Sequence, residues 1–132
     1  MTDADYRVLA GFRYALRMFF RFSEAAAAEA GLTPRQYQAL LAVRGWDGPE
    51  PITIGDLAER LQLQHHSAVG LVQRLVRHAL LARRPSRRDR RRVTLAVTAK
   101  GQRLLATLAS AHRAELRRQR PELIALLESL GH

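Results

Sequence analysis

Along residues 5–30, apolar side chains fall at Leu9, Phe12, Leu16, Phe19, Phe20, Ala26, Ala27 and Ala30, the three-and-four spacing that builds one face of an amphipathic helix. Arg13, Arg17, Arg21 and Glu24 take the other side, and Gly31 stands where such a helix stops. Phe12, Phe19, Phe20 and Phe22 are more bulk than one facing helix readily covers. Two outcomes are open: an ordinary core helix, or a helix whose surface is partly buried by a second copy of the chain.

Start signals mark the next two helices. Thr33, Pro34 and Gln36 make a capping box with proline in the first turn, and Tyr37, Leu40, Leu41 and Val43 then supply a short buried face. Gly45, Gly48, Pro49 and Pro51 break the chain into a loop, after which Ile52 and Thr53 have room only for a very short strand. Thr53 and Asp56 start the second helix, which turns Leu57, Ala58 and Leu61 inward; Ala58 is small enough to let two helices cross closely. Gln62, Leu63 and Gln64 form a turn into a helix over about 65–78. There Ala68, Leu71, Val72 and Leu75 face the core, while His65, His66, Val69, Gly70, Gln73 and Arg77 face away.

From Leu80 the period shortens to that of a strand. Leu80 to Ala82 and Val93 to Val97 flank a polar tip containing Pro85 and Asp89, which is a hairpin pattern. Thr98 caps a long helix with Leu104, Leu105, Leu108, Ala109, His112 and Leu116 on one stripe, and Pro121 opens a last helix bearing Leu123, Ile124, Leu126, Leu127 and Leu130. The expected fold is mainly α with a small β wing (α+β): two short helices, a tight turn and a basic hairpin, the layout of a winged helix-turn-helix that grips duplex DNA.

Charge sharpens this picture. The net charge is +10, from 22 Lys+Arg against 12 Asp+Glu, and Lys100 is the only lysine. An arginine-rich coding composition would spread arginine everywhere, whereas phosphate and guanine select it for its planar fork of donors. Location separates the two: residues 83–92, RRPSRRDRRR, hold seven arginines and one aspartate, and so six of the ten net charges. A block that dense repels itself unless a polyanion relieves it. Nucleic acid is the favoured partner, acidic membrane lipid the lesser one.

With 132 residues, 47% of them hydrophobic, the chain suits one domain with a real core. No cysteine is present, which excludes disulfides and thiolate metal sites. The segment MTDADYR lacks a signal-peptide core, and no apolar run approaches the ~20 residues that span a bilayer. A soluble cytoplasmic protein without a membrane partner is expected.

Catalysis would need a nucleophile with its base, a carboxylate pair, a metal set or a phosphate-cradling glycine loop. None occurs at meaningful spacing, so neither enzyme activity nor a cofactor nor a metal is expected. His65 and His66 are adjacent and point in different helical directions, a poor chelating pair better suited to bases or phosphates. His112 on its apolar stripe is either a hydrogen-bonded core or interface residue, or part of an effector pocket with Tyr37 or Phe12.

The helix order, the stretch LAERLQLQHHSAVGLVQRL and the wing signature DRRRVTLAVTAKG together resemble the MarR family of bacterial transcription regulators, over essentially the whole chain. The resemblance implies an obligate homodimer whose segments 5–30 and 99–132 interleave, with 33–97 as the winged DNA-binding lobe. It also implies a palindromic operator with half-sites about one helical turn apart. A small-molecule pocket near the dimer region follows too, commonly one through which an aromatic or phenolic effector relieves repression. Asp89 and Arg91 match the family's wing-tip aspartate and arginine, where the carboxylate is expected to orient the guanidinium for the minor groove.

The expected site is then Gln64, His65, His66, Ser67, Val69, Gly70 and Gln73 facing the major groove. Arg74 and Arg77 meet phosphates, and Arg84, Arg87, Arg88, Asp89, Arg90 and Arg91 form the wing contacts. Two positions depart from the family pattern: Ala79 where glycine is usual, which must turn left-handed or end the helix differently, and Gln64 where serine or threonine is usual, a weaker cap. The competing reading is a non-specific DNA binder or an adaptor on the same fold.

Overall fold

The computed structural model describes residues 1–131. Its elements are α1 (Asp3–Glu29), α2 (Pro34–Arg44), α3 (Ile54–Leu61), α4 (His65–Arg77), β1 (Leu81–Pro85), β2 (Val93–Val97) and α5 (Ala99–Glu128). It is a winged helix-turn-helix, with α1 and α5 packed together and the α2–α4 unit and the hairpin beside them.

Local chemistry explains most boundaries. Thr33 and Gln36 close the capping box of α2, and Thr53 and Asp56 that of α3. Thr98 caps α5 by accepting from the Gly101 N–H at 3.0 Å. A further box lies at Thr2 and Asp5, so α1 starts two residues before the apolar pattern does. It ends as expected at Gly31, whose φ of +77° lets the Leu32 N–H reach the Ala27 carbonyl at 2.9 Å.

β1 and β2 pair antiparallel from Leu81↔Val97 to Pro85↔Val93. A single bridge, Thr53↔Thr94, with the Leu95 N–H donating to the Ile52 carbonyl at 2.9 Å, supplies the very short third strand. The largest fully buried side chains, Leu40, Ile52, Leu57, Val72, Leu75 and Leu81, come from α2, α3, α4, the loop before α3 and the hairpin. They lock the reading unit to the base of the wing.

Three expectations need correction. Ala39 rather than Leu41 completes the buried face of α2, because α2 is enclosed by α1, α3, α4, α5 and β2 and leaves only the Leu41 side uncovered. On α5 the buried stripe runs through Gly101, Leu105, Leu108, His112 and Glu115; Leu116, one position round the helix, is 45% exposed. Pro121 does not open a new helix but lies inside α5. Its missing N–H frees the Arg117 carbonyl, and both residues are on the exposed side of the helix, open to solvent. Packing from α1 on either side of the proline keeps α5 continuous: Gln119 Nε2 donates to the Ala15 carbonyl at 3.4 Å, and Gly11 lies against Leu126.

Ala79 takes the left-handed option, with φ of 59°, as the Leu80 N–H reaches the Leu75 carbonyl at 2.9 Å. Alanine pays about 1–2 kcal/mol there, whereas glycine is unstrained but freer in the unfolded chain. Ala79→Gly is therefore expected to stabilise the fold by about 0.5–1 kcal/mol, read as a higher denaturant midpoint at unchanged m.

Candidate nucleic-acid interface

α4 is held by its inner face: Ala68, Leu71, Val72 and Leu75 are buried against the α2–α3 body. The buried Ala58 on α3 carries no more than a methyl, and its carbonyl accepts from the Leu63 N–H at 2.8 Å, closing the turn. Gln62 sits left-handed in that turn with φ of 53°. Gln64 occupies the N-cap of α4 without a side-chain cap bond, leaving early N–H groups of the helix to solvent or a ligand. Gln64, His65, His66, Gln73, Arg74 and Arg77 are exposed, while Ser67, Val69 and Gly70 are half-buried.

The first turn of α2 faces this surface across a cleft of about 840 Å³, bordered by Arg35 on one side and His66, Gly70 and Arg74 on the other. Arg35 was not among the expected site residues. Its periodicity marks only an exposed helix position, and nothing local says which element it faces.

The wing tip, residues 86–92, is a built turn rather than a loose charge run. The Ser86 N–H donates to the Arg92 carbonyl at 2.9 Å, and the Arg92 N–H to the Asp89 carbonyl at 2.9 Å. The buried Ser86 Oγ accepts from the Arg88 and Asp89 N–H groups at 3.3 and 3.4 Å. Asp89 Oδ1 accepts from the Arg91 backbone N–H at 3.0 Å. Asp89 thus sets Arg91 through the main chain, an Asx-type turn, and not by pairing with its guanidinium; among the described residues no ion pair joins the two.

Arg84, Arg87, Arg90 and Arg91 are exposed. Arg88 is exposed as well, but its Nε lies 2.8 Å from Glu50 Oε1 on the loop before α3. Neither Ser86 nor Glu50 was among the expected site residues. Ser86 three positions before Asp89 is a readable turn signal, whereas the Glu50 contact spans the wing and has no local signature.

The proposed effector residues separate. Tyr37 stacks on His112 with ring centroids 4.3 Å apart, and Phe19 and Phe22 meet the same imidazole edge-on at 5.9 and 5.5 Å. His112 Nδ1 donates to the Leu108 carbonyl at 2.7 Å, and Nε2 meets the Ser23 hydroxyl at 2.8 Å. This is a filled, hydrogen-bonded junction between α1, α2 and α5, and burial pushes the Tyr37 phenol above its ordinary pKa. Phe12 stands two helical turns from Phe19 and makes no ring pair with His112 or Tyr37.

Among the described residues no helix is long and apolar enough to cross a membrane. The family model described as MarR family matches residues 30–92, from the end of α1 to the wing tip. No curated protein matches the chain significantly by sequence. CouR from Rhodococcus jostii RHA1, solved bound to p-coumaroyl-CoA, is 27% identical over 76% of this chain and 69% of its own, with a TM-score of 0.67. AbsC, a MarR family transcriptional regulator from Streptomyces coelicolor, aligns with a TM-score of 0.74 at 22% identity, covering 93% of this chain and 82% of its own. A mutant of S. aureus MepR bound to an oligodeoxyribonucleotide gives 0.69 at 22% identity, covering 91% and 95%.

Proposed function

From a chain whose residues 30–92 belong to the MarR family, and whose fold is that of its winged-helix transcription regulators, we propose a homodimeric, sequence-specific DNA-binding regulator that acts as a cytoplasmic repressor. The observation that carries this reading is a division of labour on one surface. α4 presents Gln64, His65, His66, Ser67, Val69, Gly70 and Gln73, hydrogen-bonding or small groups with little charge. Arg74, Arg77 and the wing arginines other than the Glu50-paired Arg88 surround them. Base edges specify sequence, while phosphate contacts position the protein and supply affinity. Arg91, held by the Asp89 turn, is the minor-groove contact.

A second copy is the natural cover for the outer faces of α1 and α5. Tyr6, Leu9, Tyr14 and Phe20 on one, and Leu116 and Leu127 on the other, are large apolar groups left exposed in the single chain. Such a dimer sets two reading heads on a palindromic operator. CouR was solved with an aromatic thioester, and an aromatic or phenolic effector that relieves repression is the corresponding proposal here. The filled His112 junction is the place where α1, α2 and α5 would have to open to admit one.

Footprinting of the protein on random genomic fragments tests the reading. A discrete palindrome is expected, with binding that weakens steeply with salt, each phosphate contact adding about −0.9 to the log–log slope. Uniform retention on all fragments contradicts sequence specificity and supports a non-specific binder, the reading that the density of arginine on the wing favours.

A further inference from the structure

The wing's charge is not all presented in the same way. Arg88 is drawn back to Glu50, and Glu50 is itself held in place from several sides. The Trp46 indole N–H donates to the Glu50 carbonyl at 2.9 Å. Pro49 and Pro51 flank it and restrict the backbone. The Arg60 guanidinium lies 5.1 Å from the Trp46 ring centroid and reaches Asp47 at 3.6 Å, covering the indole from outside. Immediately after this turn, Ile52 and Thr53 join β2. The carboxylate is therefore presented to the wing from a braced loop.

An exposed ion pair of this kind contributes little to stability. Its consequence lies in what the cation is free to do. Arginines that meet phosphate raise affinity for every duplex alike. A wing with seven arginines in ten residues risks holding any DNA tightly. We propose that Glu50 sets the wing's overall affinity for DNA: it withholds Arg88 from the phosphate backbone, lowering binding to every duplex without touching the base-reading face. This inference rests on the DNA-binding reading above.

The experiment measures binding of the full-length protein to a short random-sequence duplex and to its footprinted operator across a salt series. Glu50→Gln keeps the shape and removes the charge. It is expected to steepen the random-duplex log–log slope by about 0.9, which makes binding at 0.1 M salt roughly eightfold tighter relative to that at 1 M. The operator gains by the same factor, so the operator-to-random ratio is expected to stay unchanged. Arg88→Ala in the wild-type background is expected to change random-duplex binding little, and in the Glu50→Gln background to reverse the gain. An unchanged slope in Glu50→Gln, or a severalfold loss from Arg88→Ala alone, overturns the proposal. Wild-type protein that binds neither duplex overturns the DNA-binding reading and this inference with it, whereas wild-type binding with an indifferent Glu50→Gln overturns this inference alone.

Discussion

Replacing Arg91 with alanine is expected to weaken operator binding about ten- to a hundredfold, the 1–3 kcal/mol typical of a specifying arginine, while leaving the fold and the association of two copies unchanged. Arg91 lies at an exposed tip far from the buried residues of the core. Its neighbour supplies a sharper test. Were Asp89 to act by pairing with the guanidinium, Asp89→Asn and Asp89→Ala would be equally harmful. In the structure Asp89 Oδ1 accepts from the Arg91 backbone N–H, a bond that an asparagine side-chain oxygen also makes. Asp89→Asn is therefore expected to retain operator affinity, and even to gain some from the lost negative charge. Asp89→Ala frees the turn and loses affinity. Titration of the three variants on one operator at fixed salt separates the two accounts; equal loss in both Asp89 variants would contradict the main-chain role.

Gly101→Ala is expected to be the most damaging substitution to the fold, costing about 3 kcal/mol or more in an overpacked site. A methyl at Gly101 would sit 2.3 Å from the Leu80 carbonyl oxygen and 2.9 Å from Val97 Cγ1. The oxygen has no freedom to move aside. It accepts from the Thr98 N–H at 3.1 Å, and the Thr98 hydroxyl in turn donates to the Ala79 carbonyl at 2.6 Å. The clash thus falls on the junction that ties the exit of α4 and the base of the wing to the start of α5. Gly55→Ala is the matched control, because its added methyl meets only Thr53 Oγ1 at an ordinary 3.7 Å. Chemical denaturation that shows no difference between the two alanine variants would contradict this account.

The same junction shows what can be read in a sequence and what cannot. That Thr98 begins a helix is legible, because a hydroxyl capping an N–H three residues on is a local event. That Gly101 must be glycine is not, since its φ is unremarkable and the constraint comes from a carbonyl twenty-one positions earlier. Pro121 is the converse: local rules favour a break there, and contacts from α1 override them. The paired histidine and tyrosine make the same point. His112 is recognisable as a buried polar residue on an apolar stripe, but its partners Ser23, Tyr37 and Phe22 lie on other helices, and Phe12, on the same face as Phe19, does not join them.

The sequence alone determined the capping boxes at Thr33 and Thr53, the inward face of α4, the hairpin from Leu81 to Val97 and the charge at its tip. These follow from hydrogen bonds within one turn and from periods of 3.6 and 2 that a chain carries in itself. Only the tertiary structure decided that Leu116 stays exposed in the single chain, that Asp89 works through the backbone, and that Glu50 engages Arg88 across 38 residues. Those outcomes depend on the angles and distances at which elements meet, and spacing along the chain does not encode them.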